Sequence, residues 1–144
     1  SSVVHFDQST VSLSGSGVLS VVDSTQTLLT SSELTVSEGN FLVGGNAILT
    51  VLSSVYSISG GETTYTDNSF VSIQNSEFTV SGGDVYFAGQ SQVVIDSDSI
   101  YQVTGGNVFT SGSSILDISG SCFVISQGSV EYADNSVLRL SNAC

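Results

Sequence analysis

The chain of 144 residues has no proline, no methionine, no tryptophan and no lysine. Arg139 is its one basic side chain, set against thirteen Asp and Glu, for a formal net charge of −12. These shortages exclude several functions. Phosphate neutralisation needs clustered Lys and Arg, so nucleic-acid binding is excluded. Docking on an anionic membrane surface fails for the same reason. No apolar run is long enough to span a bilayer, so membrane insertion is not expected. What remains is a polar surface of Ser, Thr, Asn, Gln and Gly around a hydrophobic fraction of 40%. That fraction is enough to bury a core, and the length suits one domain.

A repeat organises these residues. Gly17, Gly39, Gly61, Gly83, Gly106 and Gly128 stand 22 residues apart, with one spacing of 23. With each such glycine as position one, position three reads Leu19, Phe41, Thr63, Val85, Val108, Val130. Position five reads Val21, Val43, Tyr65, Phe87, Thr110, Tyr132. Positions eleven and thirteen form a second apolar pair, such as Leu49 and Val51, and a third pair follows, such as Phe78 and Val80. Apolar residues alternate with polar ones inside each pair, the period of half-buried strands. Val, Ile, Thr, Phe and Tyr favour strands, and the best helix formers are scarce.

Each row therefore holds three short strands and three turns. A row cannot bury its apolar face alone, but stacked rows share a continuous core. The expected fold is all-β, a single-stranded parallel β-helix (β-solenoid) of about 22 residues per coil and roughly 6.5–7 coils. It forms one domain over 1–144, with coils starting at 17, 39, 61, 83, 106 and 128. Residues 1–16 fit less well and read as an irregular first coil. There Asp7-Gln8-Ser9 is matched to the Asp67-Asn68-Ser69 turn, Val11 and Leu13 to the second strand, and a strand's worth is missing.

Further columns extend the register. Position eight, with Asn46, Asn68, Gln90 and Asn135 (and Gln8 in the first coil), is expected to form a stacked amide ladder. Position nine is small throughout. The only cysteines, Cys122 and Cys144, both occupy position seventeen on successive coils, about 4.8 Å apart, inside disulfide range. A Cys122–Cys144 disulfide is expected; the alternative is two buried free thiols. Asp117 and Arg139 share position twelve, predicting an inter-coil ion pair worth at most about 1 kcal/mol. Ile48, Phe70, Ile115 and Val137 recur at outward position ten, either partly buried beside a turn or forming a lateral interface.

The row length, the glycine column and the Asn68 and Asn135 turn column resemble the right-handed parallel β-helix superfamily. Its members include pectate-lyase-like enzymes, phage tailspikes and autotransporter adhesin passengers. The resemblance implies a right-handed coil. It also implies that an enzyme on this fold would carry acids beside an Arg or Lys, for which this chain offers no counterpart.

Sites of chemistry are sparse. Asp96 and Asp98 are the nearest to a carboxylate pair for glycoside hydrolysis, but they read better as a solvated turn. His5, the only histidine, has no Ser or Cys partner in a recognisable motif. One His and two distant Cys make no zinc pattern, and the Asp column at position seven is interrupted by glycines, so no metal and no cofactor are expected. The expected function is that of a non-enzymatic structural protein that self-associates, by head-to-tail stacking, into fibres or a surface coat. With neither Lys nor Pro to block strand edges, the solenoid ends are open either to other copies or to further coils of a longer solenoid from which the chain is excised. The alternative is an adhesin or carbohydrate-binding module using Tyr86 and Phe109 as a glycan platform, and a polysaccharide-degrading enzyme comes third. A disulfide implies a secreted or cell-surface protein in an oxidising compartment.

Overall fold

The computed structural model describes residues 2–144. In chain order the strands are β1 (Val3–Asp7), β2 (Thr10–Leu13) and β3 (Val18–Val21). The second coil adds β4 (Gln26–Thr30), β5 (Glu33–Val36) and β6 (Asn40–Val43), and the third β7 (Ile48–Leu52), β8 (Val55–Ile58) and β9 (Glu62–Tyr65). Then come β10 (Phe70–Gln74), β11 (Glu77–Val80) and β12 (Asp84–Phe87), followed by β13 (Gln92–Asp96), β14 (Ile100–Val103) and β15 (Asn107–Thr110). The last are β16 (Ile115–Ser119), β17 (Cys122–Ile125), β18 (Ser129–Tyr132) and β19 (Val137–Ser141).

Every third strand pairs in parallel. Sheet A runs β1-β4-β7-β10-β13-β16-β19, sheet B β2-β5-β8-β11-β14-β17 and sheet C β3-β6-β9-β12-β15-β18. The molecule is thus a three-sided parallel β-solenoid of about six coils. The register follows the sequence columns. Val71 pairs with Leu49 and Val93, Val85 with Thr63 and Val108, and Phe78 with Tyr56 and Tyr101. Alternation puts these residues inside, where Leu49, Val51, Ile58, Ile73, Ile95 and Ile118 are fully buried. Sheet B also lines up Tyr56, Phe78, Tyr101 and Phe123 as stacked rings with centroids 4.8–4.9 Å apart. That distance matches the strand spacing, so parallel stacking fixes aromatic and backbone ladders together.

The first coil departs from the sequence reading. Residues 2–16, the described part of that coil, are not irregular: β1 pairs with β4, and β2 with β5, in unbroken register. Val4 and Phe6 occupy the second-strand columns, while Val11 and Leu13 sit in the third, beside Leu34 and Val36. No strand is missing, because the described chain enters the solenoid at sheet A. The Asp7-Gln8-Ser9 tripeptide resembles the Asp67 turn in composition only. The Gln8 amide donates to Thr30 O, so the tripeptide stacks on Thr30-Ser31-Ser32. The extra residue of the 23-residue row lies in the Ser97-Asp98 turn, where both residues take positive φ.

Coils can approach to strand spacing at the corner between sheets B and C only because glycine fills it. Gly83 has φ +73°, and a Cβ there would lie 2.5 Å from the Gly61 carbonyl oxygen. Gly15 has a similar φ of +67° but nothing within 4 Å of the same added atom. Gly83→Ala should therefore cost more than about 2 kcal/mol in denaturant unfolding, and Gly15→Ala about 1 kcal/mol, the conformational part alone. Equal losses would show that inter-coil contact is not the constraint.

Candidate functional site

Two columns fasten the C-terminal coil. Cys122 and Cys144 are disulfide-bonded with Cα atoms 4.7 Å apart. The Phe123 amide donates to Cys144 O, and the Cys144 amide to Ser121 O, covering part of the β17 edge. Arg139 Nη1 stands 3.9 Å from Asp117 Oδ2, with the arginine side chain 57% exposed, so screening keeps the pair weak.

A further column, at position sixteen, is present in the sequence but hidden by the abundance of serine: Ser32, Ser54 and Ser76 at intervals of 22, then Ser99 after the 23-residue row and Ser121 another 22 residues on. From Ser32 to Ser99 these serines make a continuous ladder. The Ser32 amide donates to Ser54 Oγ, that of Ser54 to Ser76 Oγ and that of Ser76 to Ser99 Oγ, at 3.0–3.2 Å. Each hydroxyl donates in turn to a carbonyl of its own turn, Ser76 Oγ to Gln74 O at 2.6 Å for example. A small hydroxyl is the one side chain that accepts and donates here without filling the corner between sheets A and B. The expected amide ladder does not form as a ladder. Only Asn68 Nδ2 reaches Asn46 Oδ1, at 3.4 Å and in solvent. Backbone groups bond that turn instead, as in Asn68 N to Gly45 O, and Asp67 and Asp134 accept from the amides of Gly45 and Gly112.

Outward faces differ in chemistry. On sheet C, Tyr86 and Phe109 stack with centroids 5.1 Å apart and planes 15° apart. One face of each ring is therefore covered by the other. Beside them runs a polar column: Ser129 Oγ donates to Asn107 Oδ1, and Asn107 Nδ2 to Asp84 Oδ1, both at 2.9 Å. Partial desolvation and the nearby Asp84 and Glu62 carboxylates raise the Tyr86 hydroxyl above its ordinary value. On sheet A the column Ile48, Phe70, Gln92, Ile115 and Val137 stacks in register on the outside. The first four are half-buried and Val137 is exposed.

Asp96 ends β13 and Asp98 lies exposed in the adjoining turn, where its amide bonds Gly120 O. His5 lies on the exposed face of β1, with Nε2 3.3 Å from Thr30 Oγ1. Among the described residues no group of three or more His, Cys, Asp or Glu is placed to hold a metal ion.

Exposure rises in the end coils of the described residues. Val103 and Ile118 are fully buried, whereas Ile125 and Leu140, one coil further along the same columns, are 48% and 54% exposed. At the opposite end an apolar recess of about 110 Å³ is lined by Val4, Phe6, Val11, Leu19, Leu29 and Phe41. No protein-family model, curated protein or solved structure matches the chain.

Two outcomes follow from the interior and its fastening. Reducing the disulfide should cost about 3 kcal/mol of stability by freeing a loop of 22 residues, read as a lowered denaturant midpoint. Burial raises the Tyr56, Tyr65 and Tyr101 hydroxyls well above the ordinary 10.0, and pushes Tyr132 up to about 12. A raised folded-state value favours the neutral form, so this stability is complete below pH 10 and is lost as pH rises above it. Apart from the share of the surface Tyr86, tyrosinate absorbance should appear together with loss of β-structure in an alkaline titration.

Proposed function

We propose that the protein is a non-enzymatic, extracellular structural element whose solenoids join end to end into fibres or a surface coat. The carrying observation is the contrast within single columns: Ile125 and Leu140 are about half exposed and Val4 is 40% exposed, where their counterparts in the inner coils are buried. A second copy supplies the missing neighbour by adding parallel strands to the open edges, a head-to-tail contact that repeats without closing. The disulfide fits an oxidising compartment, which supports the extracellular part of the reading. The carbohydrate-binding reading rests on Tyr86 and Phe109 alone, and it ranks second because each ring already has one face occupied. An enzymatic role finds no support in Asp96 and Asp98, which share a turn without a basic neighbour.

Negative-stain micrographs and sedimentation over rising concentration test the proposal. Rods should lengthen in units of about 30 Å, the span of seven stacked strands. Leu140→Asp, at a side chain already half exposed, should leave the fold intact and stop growth. Dispersed single-chain particles at high concentration would overturn the proposal, and would point to covering of these ends by further coils of a longer chain.

A further inference from the structure

We infer that the outward face of sheet C carries a docking notch for an arginine side chain of a basic partner protein, formed by Glu62, Thr64, Asp84 and Tyr86. Elsewhere the strand ladders keep acids apart. Glu33 lies between Thr10 and Val55, Glu77 between Val55 and Ile100, and Asp117 between Val94 and Arg139. Glu62 and Asp84 are the exception among the described residues, two acids set directly side by side on neighbouring strands. Like charges at paired positions destabilise a sheet, and these two stand in a chain of net charge −12. No basic side chain relieves them, because His5 and Arg139 both lie on sheet A. A cation brought by a partner turns that repulsion into attraction.

Two features select a guanidinium among cations. Thr64 Oγ1 donates to Glu62 Oε1 at 3.2 Å, and Asn107 Nδ2 donates to Asp84 Oδ1 at 2.9 Å. One oxygen of each carboxylate is thereby positioned, while Glu62 Oε2 and Asp84 Oδ2 accept no hydrogen bond from the chain. The planar fork of a guanidinium supplies donors to two such oxygens at once. The ring beside them is the second feature. Phe109 covers one face of Tyr86, and the next residue of the column on the other side is Thr64, too short to cover the opposite face. A guanidinium lying over Thr64 stacks on that face and extends the ladder by one member. Partial desolvation, then Asp84 and Glu62, raise the Tyr86 hydroxyl, so both carboxylates act at this ring. Sheet B supplies the contrast. Glu33 and Glu77 accept the same bond from Thr35 and Thr79, at 3.2 and 3.1 Å, but Ser57 and Gln102 stand where sheet C has its rings.

The inference does not rest on end-to-end stacking, and its test uses dilute protein with one small probe, N-acetyl-arginine methylamide. In an NMR titration the Thr64 and Tyr86 signals should shift saturably. Tyr86→Leu, and Glu62→Gln combined with Asp84→Asn, each checked for native circular dichroism, should raise the dissociation constant at least about threefold. Glu77→Gln, on the sheet B face, should not change it. The corresponding lysine derivative should bind at least about threefold more weakly, since it lacks the planar fork. Unsaturable shifts spread over all the acids overturn the inference, as does a constant unchanged in both notch variants. Tighter binding of calcium ion or of neutral cellotetraose at the same residues also overturns it, and an equally strong lysine derivative overturns the choice of arginine. Arg139→Gln should leave the constant unchanged. A tighter constant in that variant would show that Arg139 of a second copy competes for the notch, and would overturn the assignment to a different protein.

Discussion

Everything in this molecule depends on coil-to-coil registry: one residue must lie on its counterpart 22 residues later, at strand spacing. Parallel ladders supply the backbone bonds, and they favour columns whose side chains can stack on similar neighbours. Aliphatic residues do so in the sheet A interior, rings do so in sheet B from Tyr56 to Phe123, and serines do so at the corner between those sheets. Where backbones must touch, glycine is required, as at Gly83 over Gly61. The same requirement explains the missing residues. Proline would remove a ladder donor, and stacked lysines would repel one another along a column.

The registry makes most of the fold legible. The alternation in Leu49-Thr50-Val51 and the recurrence of that pattern through Ile118 specify strands and their partners from residue order alone. The first coil misleads because turn composition is a weaker signal than strand pairing. Asp7-Gln8-Ser9 looks like an Asp-Asn-Ser turn, but the apolar Val4 and Phe6 before it fix the register. The amide column fails for a different reason. Asn46 and Asn68 sit at an exposed turn tip, where water competes for their side chains and backbone groups already close the turn. The serine column has equal periodicity and a stronger role, but serine is so common in this chain that its recurrence does not stand out. Cys122, Cys144, Asp117 and Arg139 are legible because each is rare in its column and a 22-residue offset leaves little choice of neighbour.

Function is less legible, because the surfaces are made of the same few residue types as the scaffold. What distinguishes one surface from another is which neighbour is missing. Ile125 and Leu140 are about half exposed where their counterparts one coil earlier are buried. In the proposed assembly a second copy covers the end-coil side chains along the axis.

The most direct test of coil registry as the organising principle is X-ray diffraction from flow-aligned, concentrated protein. Strands perpendicular to the particle axis at a constant step should give a sharp reflection near about 4.8 Å along the alignment direction. A reflection at that same spacing but at right angles to the alignment direction, or none at all from well-aligned particles, would contradict it.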